Sequence, residues 1–219
     1  MKFTSSMVAA LAFMATVTFV QAEAQVWIER VIAEVRPGSV VARRGLENDP
    51  ITQAVLLGQG GGQWSHVGIA VQLIPDGQIY IESAMPGAGT KLEKPDVFFS
   101  AEQACEGEVL LMPVDKVDAV QSAAKSLLGR PFDDQLALDD DGTKLYCTEL
   151  VALALQSARV LKDVPTRSVP FFPQKVIAPD DLVAAARATM LKGRDSCAIC
   201  QTKPLAPTQN ATSSDSKSD

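Results

Sequence analysis

Strand-forming runs in the first two thirds of the sequence and helical periodicity after them predict a chain of mixed α and β structure. Three observations carry this. The β-rich runs SHVGIAVQLI and QIYIESAM flank Pro75-Asp76-Gly77-Gln78 and read as a hairpin closed by a P-D-G turn. Residues 107–114, GEVLLMPV, form another apolar run of strand length. Val117, Val120, Ala124, Leu127 and Leu128 then share one helical face, and Gly129 and Pro131 stop that helix.

The remaining elements follow in order. Lys2, an uncharged and mostly apolar stretch over 7–20, and Ala22 and Ala24 spaced A-x-A form the pattern of a secretory signal peptide cleaved after Ala24. The apolar stretch falls short of the roughly 20 residues that span a bilayer, which disfavours an uncleaved anchor. The expectation is an exported protein, periplasmic or secreted, with no stable membrane insertion after cleavage. One domain over 25–200 and a disordered Pro/Ser/Thr/Asp-rich tail over 201–219 would follow. VRPGSVVAR reads as a turn at Pro37-Gly38 entering a short strand. DPITQAVLLGQGGGQ reads as a helix from Pro50 that dissolves into a glycine loop over 58–62. That loop lacks the spacing of a phosphate-binding loop. Residues 150–155 extend a helix that is apolar nearly all round, so it should be central and buried. PDDLVAAARATMLKG reads as a third helix with Pro179 at its start and Gly193 at its end.

Charge and cysteine usage narrow the function classes. A net charge of −6 argues against general nucleic-acid binding and gives no reason to expect attraction to anionic lipid headgroups. Cys197 and Cys200 form one C-x-x-C, a weak zinc signal in a chain with a single histidine; a local disulfide is the simpler expectation. Cys105 lies in a polar stretch and takes no role from its context. The run Asp139-Asp140-Asp141-Gly142 does not fit a calcium loop, because Ala137 and Thr148 would occupy the first and twelfth ligand positions. No metal and no cofactor are expected.

Cys147 stands at the polar edge of the buried helix, in TKLYCTELVALAL. A helix N-terminus and a nearby imidazole both favour a thiolate. Glu149 in the same turn opposes this, and as an exposed carboxylate should not cancel it. The only histidine is His66, at a strand start beside the glycine loop. Glu82 on the partner strand of the hairpin is a candidate orienting acceptor; period-2 alternation equally allows it a solvent-facing place.

RPGSVV, WSHVGIAV, IYIESAM, LLGRPFD and LYCTELV, in this order, resemble the permuted papain-like cysteine hydrolases of the YiiX/YebB-like group, relatives of the NlpC/P60 superfamily. The resemblance runs from about residue 35 through the helix after Cys147, and more weakly to VIAPDDL. It implies an α+β fold in which a central antiparallel sheet packs on helices. The order His66, Glu82, Cys147 is that of the circularly permuted members. It also implies roles: Cys147 as nucleophile, His66 as base, Glu82 as orienting residue, and Tyr146 lining the oxyanion or substrate site. Asp133 would tether the loop before the cysteine. The acidic ALDDDGTK segment and the CAIC pair depart from the pattern. The expected activity is cleavage of an amide, ester or thioester through an acyl-enzyme, on a small-molecule, peptide or lipid-like acyl substrate. Two alternatives stand beside it. One is a catalytically silent lipid- or peptide-binding module on the same fold. In the other, Cys147 is a core thiol or is joined to Cys105.

Overall fold

The computed structural model describes residues 26–46, 50–74, 76–138, 142–169 and 173–192. The signal-peptide and tail assignments, the Cys197/Cys200 pair and Asp139 to Asp141 lie outside these residues.

The first element among the described residues is a helix over 26–34, α1, which the sequence reading did not anticipate. There follow β1 (Val40–Arg44), α2 (Pro50–Gly58), β2 (His66–Gln72), β3 (Ile79–Met85), β4 (Gly89–Glu93), the short α3 (Pro95–Phe98) and β5 (Glu106–Leu111). A 3-10 turn (Val114–Lys116) leads into α4 (Val117–Lys125). Then come α5 (Cys147–Ser157), the two-residue strands β6 (Arg167–Ser168) and β7 (Lys175–Val176), α6 (Pro179–Arg187) and β8 (Leu191–Lys192). The principal sheet is antiparallel, in the order β4-β3-β2-β1-β5-β8. The α+β expectation of a central antiparallel sheet with helices packed on it therefore holds.

Both faces of this sheet are covered. Val40, Ala42, Val67, Ile69 and Val71 project into a core shared with Val120 and Ala124 of α4, Leu150, Val151 and Leu155 of α5, and Leu182 and Val183 of α6. Val41, Ala70, Ile81 and Val109 project the other way, onto Trp27, Ile28 and Val31 of α1 and onto Phe98 and Phe99. A strand buried on both sides needs apolar residues without alternation. That is why IAV in β2 and VVA in β1 read as continuous runs.

The hairpin of β2 and β3 forms as expected. Asp76 Oδ1 accepts from the Gln78 amide at 3.0 Å, and Gly77 takes the positive φ of 70° that the turn requires. The register pairs Ile69 with Glu82 and Ala70 with Ile81. Gly68 permits the close approach of β3: a Cβ there would lie 2.6 Å from Ile81 Cγ2 and 2.8 Å from the Glu82 carbonyl oxygen.

Several boundaries differ from expectation. α4 stops at Lys125, so Leu127 is buried from the turn beyond it and Leu128 is 42% exposed rather than on the core face. α6 ends at Arg187 rather than near Gly193, and Leu191–Lys192 pairs with β5 as an edge strand. The Arg187 guanidinium binds both oxygens of buried Glu108 on β5, which fixes the C-terminal end of α6 against the sheet.

Replacing Gly68 with alanine forces a side chain against main-chain atoms that cannot move without breaking the β2–β3 ladder. Denaturant unfolding of Gly68→Ala should show a loss of about 1–3 kcal/mol. Wild-type stability in the variant would mean that β3 is free to shift.

Candidate active site

α5 begins at Cys147 because Tyr146, in extended conformation with φ −104° and ψ 169°, turns the chain into it. The segment before it is tied down by Asp133, whose carboxylate accepts from the amides of Gln135 and Ala137. The Asp133 amide donates to the Leu145 carbonyl at 3.2 Å. This is the tethering expected of Asp133. Behind the first turn, the Thr148 hydroxyl donates to the Ile177 carbonyl at 2.7 Å, and the Ile177 amide donates to the Tyr146 hydroxyl at 3.0 Å. The start of α5 is thus locked to the segment that leads into α6.

His66 is the first residue of β2 and lies opposite Arg43 of β1. The loop before it is held from a distance. Asp180, in the first turn of α6, accepts from the amides of Gln63 (2.9 Å) and Trp64 (2.8 Å). Gln59 Nε2 donates to the Trp64 carbonyl at 2.6 Å. Gly62 has no room for a side chain here, since a Cβ would fall 2.0 Å from Asp180 Oδ2.

These constraints bring Cys147, His66 and Tyr146 to the wall of one cleft of about 1070 Å³. Cys147 is a free thiol, whereas Cys105 is disulfide-bonded, so the two are not joined to each other. The His66 ring packs at 31° and 5.6 Å on Phe98 of α3, and the Arg43 guanidinium lies 4.6 Å over that same ring. Arg43 is anchored by donating to the Phe98 carbonyl at 2.7 Å and to Gln103 Oε1 at 2.6 Å.

Glu82 is not part of this group. Residues paired across a sheet share a face, and successive residues alternate. Glu82 shares its face with Ile69, three residues from His66, so it points to the opposite side of the sheet from His66. It is 0% exposed, and neither carboxylate oxygen has a hydrogen-bond partner among the described residues. The expectation that Glu82 orients His66 is therefore corrected, and so is the alternative that it faces solvent. His66 Nε2 is likewise buried without a hydrogen-bond partner among the described residues. Glu149, expected to be exposed, is 4% exposed and lies within the core-facing turn of α5.

Burial dominates the electrostatics. It pushes the Cys147 thiol above its ordinary value of 9.0, against the opposing pull of main-chain hydrogen bonds at Val67, Thr148 and Cys147 itself and of the Arg43 charge. His66 is held well below 6.5, first by burial and then by the positive charges of Arg43 and Lys91. The resting pair is neutral thiol and neutral imidazole, not the thiolate that a helix N-terminus alone would favour. Burial also raises the Tyr146 phenol and lifts the Glu82 carboxyl from 4.5 to about 8, the latter against the charge of Lys125.

Sequence reasoning missed Arg43, Phe98 and Asp180. A charged residue inside the apolar run VVARR could have flagged Arg43. Asp180 has only the ordinary signature of an acidic first turn in a helix.

No family model matches the sequence, and no curated protein matches it. Among solved structures, the chain is similar to the crystal structure of metalloprotein YiiX from Escherichia coli O157:H7, with a TM-score of 0.61 and 15% identity over 74% of this chain and 98% of that one. The chain has the YiiX fold. At this identity the likeness to YiiX speaks for fold alone, so activity is argued from the site. YiiX is described as a metalloprotein. Among the described residues here, no group of three or more His, Cys, Asp or Glu side chains could hold a metal ion, and the donors around Cys147 do not make such a site.

Two measurements check this electrostatic picture. The pH profile of Cys147 alkylation by iodoacetamide should have its midpoint above 9.0 in the resting protein. Arg43→Met should raise it further, and Arg43→Lys should leave it near wild type. An acid-shifted midpoint in the wild type would overturn the dominance of burial. For Glu82, a folded-state value raised from 4.5 to about 8 gives stability that is fully present below 4.5 and is lost as pH rises to about 8. Thermal unfolding across that window should show Tm falling with pH. Glu82→Gln should flatten the slope, and an equal slope in the variant would show that another group carries it.

Proposed function

We propose that the chain is an exported cysteine hydrolase on a circularly permuted papain-like fold, acting on an amide, ester or thioester. The observation that supports it is the placement of a free thiol at the start of α5 and the single imidazole at the start of β2 on the wall of one cleft. The chain order, His66 before Cys147, is the permuted one. The LYCTELV and SHVGIAV motifs that resemble YiiX-like hydrolases are the segments that build the cleft wall.

The neutral pair sets the mechanism. His66 is unprotonated across neutral pH and is available as a general base. It takes the thiol proton as Cys147 Sγ bonds to the substrate carbonyl carbon and the carbonyl electrons move onto oxygen. The Cys147 amide at the helix start faces that oxygen. Tyr146 lines the same site, its hydroxyl held by the Ile177 amide and by Thr148. Collapse of the intermediate breaks the bond to the leaving group, which takes the proton from His66. Water then attacks the acyl-thioester with His66 again as base, releasing a carboxylic acid and restoring the thiol. Phe98 stacking and the neighbouring Arg43 hold the ring in the place where Glu82 had been expected to act. Residues 1–24 support a periplasmic or secreted location.

A second reading, a silent binding module, draws on the raised thiol and on Glu82 facing away from His66. Mass spectrometry separates the two. Incubation with an activated acyl ester should add one acyl group at Cys147, and His66→Gln should slow this by about 10²–10⁴-fold. No adduct at Cys147, or equal rates in the two proteins, would leave the binding module.

A further inference from the structure

With Glu82 on the far face of the sheet, His66 lacks the acceptor expected for it. His66 lines the cleft, yet its Nε2 is buried and has no hydrogen-bond partner among the described residues. That leaves Nδ1 as the ring nitrogen available to Cys147. A neutral imidazole carries one proton. For Nδ1 to take the thiol proton, the ring's own proton must sit on Nε2, where it is a buried donor in need of an acceptor.

Ser83 Oγ matches that need. It is buried in a residue that is 0% exposed, and it too has no partner among the described residues. The register that pairs Ile69 with Glu82, continued by one residue, sets Gly68 opposite Ser83. Alternation then puts Ser83 on the His66 face of the sheet and Glu82 on the other. The Ser83 Cβ lies 3.4 Å from where a Cβ on Gly68 would stand, so these two positions do share a face. His66 and Ser83 are diagonal neighbours on adjacent strands, a separation of roughly 7–8 Å that is still within reach of a ring side chain. Gly68, between them, has no side chain to fill that span. The charges that reach His66 are those of Arg43 and Lys91, and neither side chain can accept a hydrogen bond. Lys91 pairs across β4 with Ser83 and is itself held by Glu93 at 3.4 Å.

We propose that Ser83 is the positioning residue of His66: one water above Gly68 accepts from Nε2–H and donates to Ser83 Oγ, which holds the tautomer whose Nδ1 can take the Cys147 proton. The catalytic part of this rests on His66 being the base for Cys147; the bridge between His66 and Ser83 does not. The residue next to Glu82 in sequence thus does what Glu82 was expected to do, because it points to the other face.

The test uses the chain's single histidine. Protein grown on histidine labelled at both ring nitrogens gives one pair of imidazole signals. A long-range proton–nitrogen NMR spectrum at neutral pH then reads which nitrogen carries the proton. The wild type should show Nε2–H and a bare Nδ1. Ser83→Ala should move population toward Nδ1–H, and Ser83→Thr, which keeps the hydroxyl, should restore the wild-type spectrum. Acylation of Cys147 by an activated ester should slow about tenfold in Ser83→Ala, the loss of one hydrogen bond, and recover in Ser83→Thr. A proton on Nδ1 in the wild type overturns the proposal, and needs no variant to fold. A Ser83→Ala spectrum identical to the wild type overturns it as well. The spectra are independent of thiol chemistry. The expected tautomers with no acyl adduct at Cys147 in any of the three proteins support the bridge and remove only the hydrolase reading. An acyl adduct in a wild type that carries Nδ1–H leaves the hydrolase and removes the role of Ser83.

Discussion

Double-sided burial of β2 is the constraint from which the rest of the structure follows. Val67, Ile69 and Val71 face α4, α5 and α6, while Ala70 faces α1 and the α3 aromatics. With both faces occupied, the strand can neither rotate nor slip, because a one-residue shift would exchange its two sets of side chains. Its first residue, His66, then emerges at a fixed point. Because α5 packs on the Val67 face, its first residue is delivered to the same end of the strand. The pairing of thiol and imidazole in one cleft is a consequence of sheet packing, not of any direct attraction between them.

The same packing sets the chemistry. A helix N-terminus and the Arg43 guanidinium both favour a thiolate at Cys147. Removing the sulfur from water costs more, so the thiol is raised. His66 feels burial and two positive charges in the same direction, and stays neutral. A neutral pair in a mostly apolar cleft is compatible with the proton transfer proposed for it. It also protects the sulfur from indiscriminate reaction.

Long-range hydrogen bonds position the loop that a glycine-rich sequence would otherwise leave undefined. Asp180 holds Gln63 and Trp64 across 117 and 116 residues of sequence, and Arg167 joins Asp181 to the Gln59 carbonyl. The N-terminal turn of α6 therefore acts as a bracket for the approach to His66. The glycines at 60 and 61 supply the positive φ angles of the turn, and Gly62 supplies the space for the Asp180 carboxylate.

The sequence by itself determined the local elements whose signals are periodic or steric. These were the hairpin between β2 and β3, the short strand after Pro37-Gly38, the apolar helix headed by Cys147, and the singling out of Cys147 and His66, which line one cleft. Each depends on neighbours in the chain, where turn chemistry and side-chain spacing act. The tertiary structure decided what depends on register and burial. Glu82 interrupts an apolar strand and could be read as facing either way; only the pairing of Ile69 with Glu82 fixes it on the side away from His66. Glu149 looked like a solvent-facing carboxylate until the packing of α5 enclosed it. Phe98 and Asp180 support the site from helices far apart in sequence, so no local pattern could announce them, and Arg43 gave only the signal of a charge inside an apolar run. Side-chain period along a strand is a property of the strand alone. Which face meets which partner is settled only when the sheet is closed between its two cores.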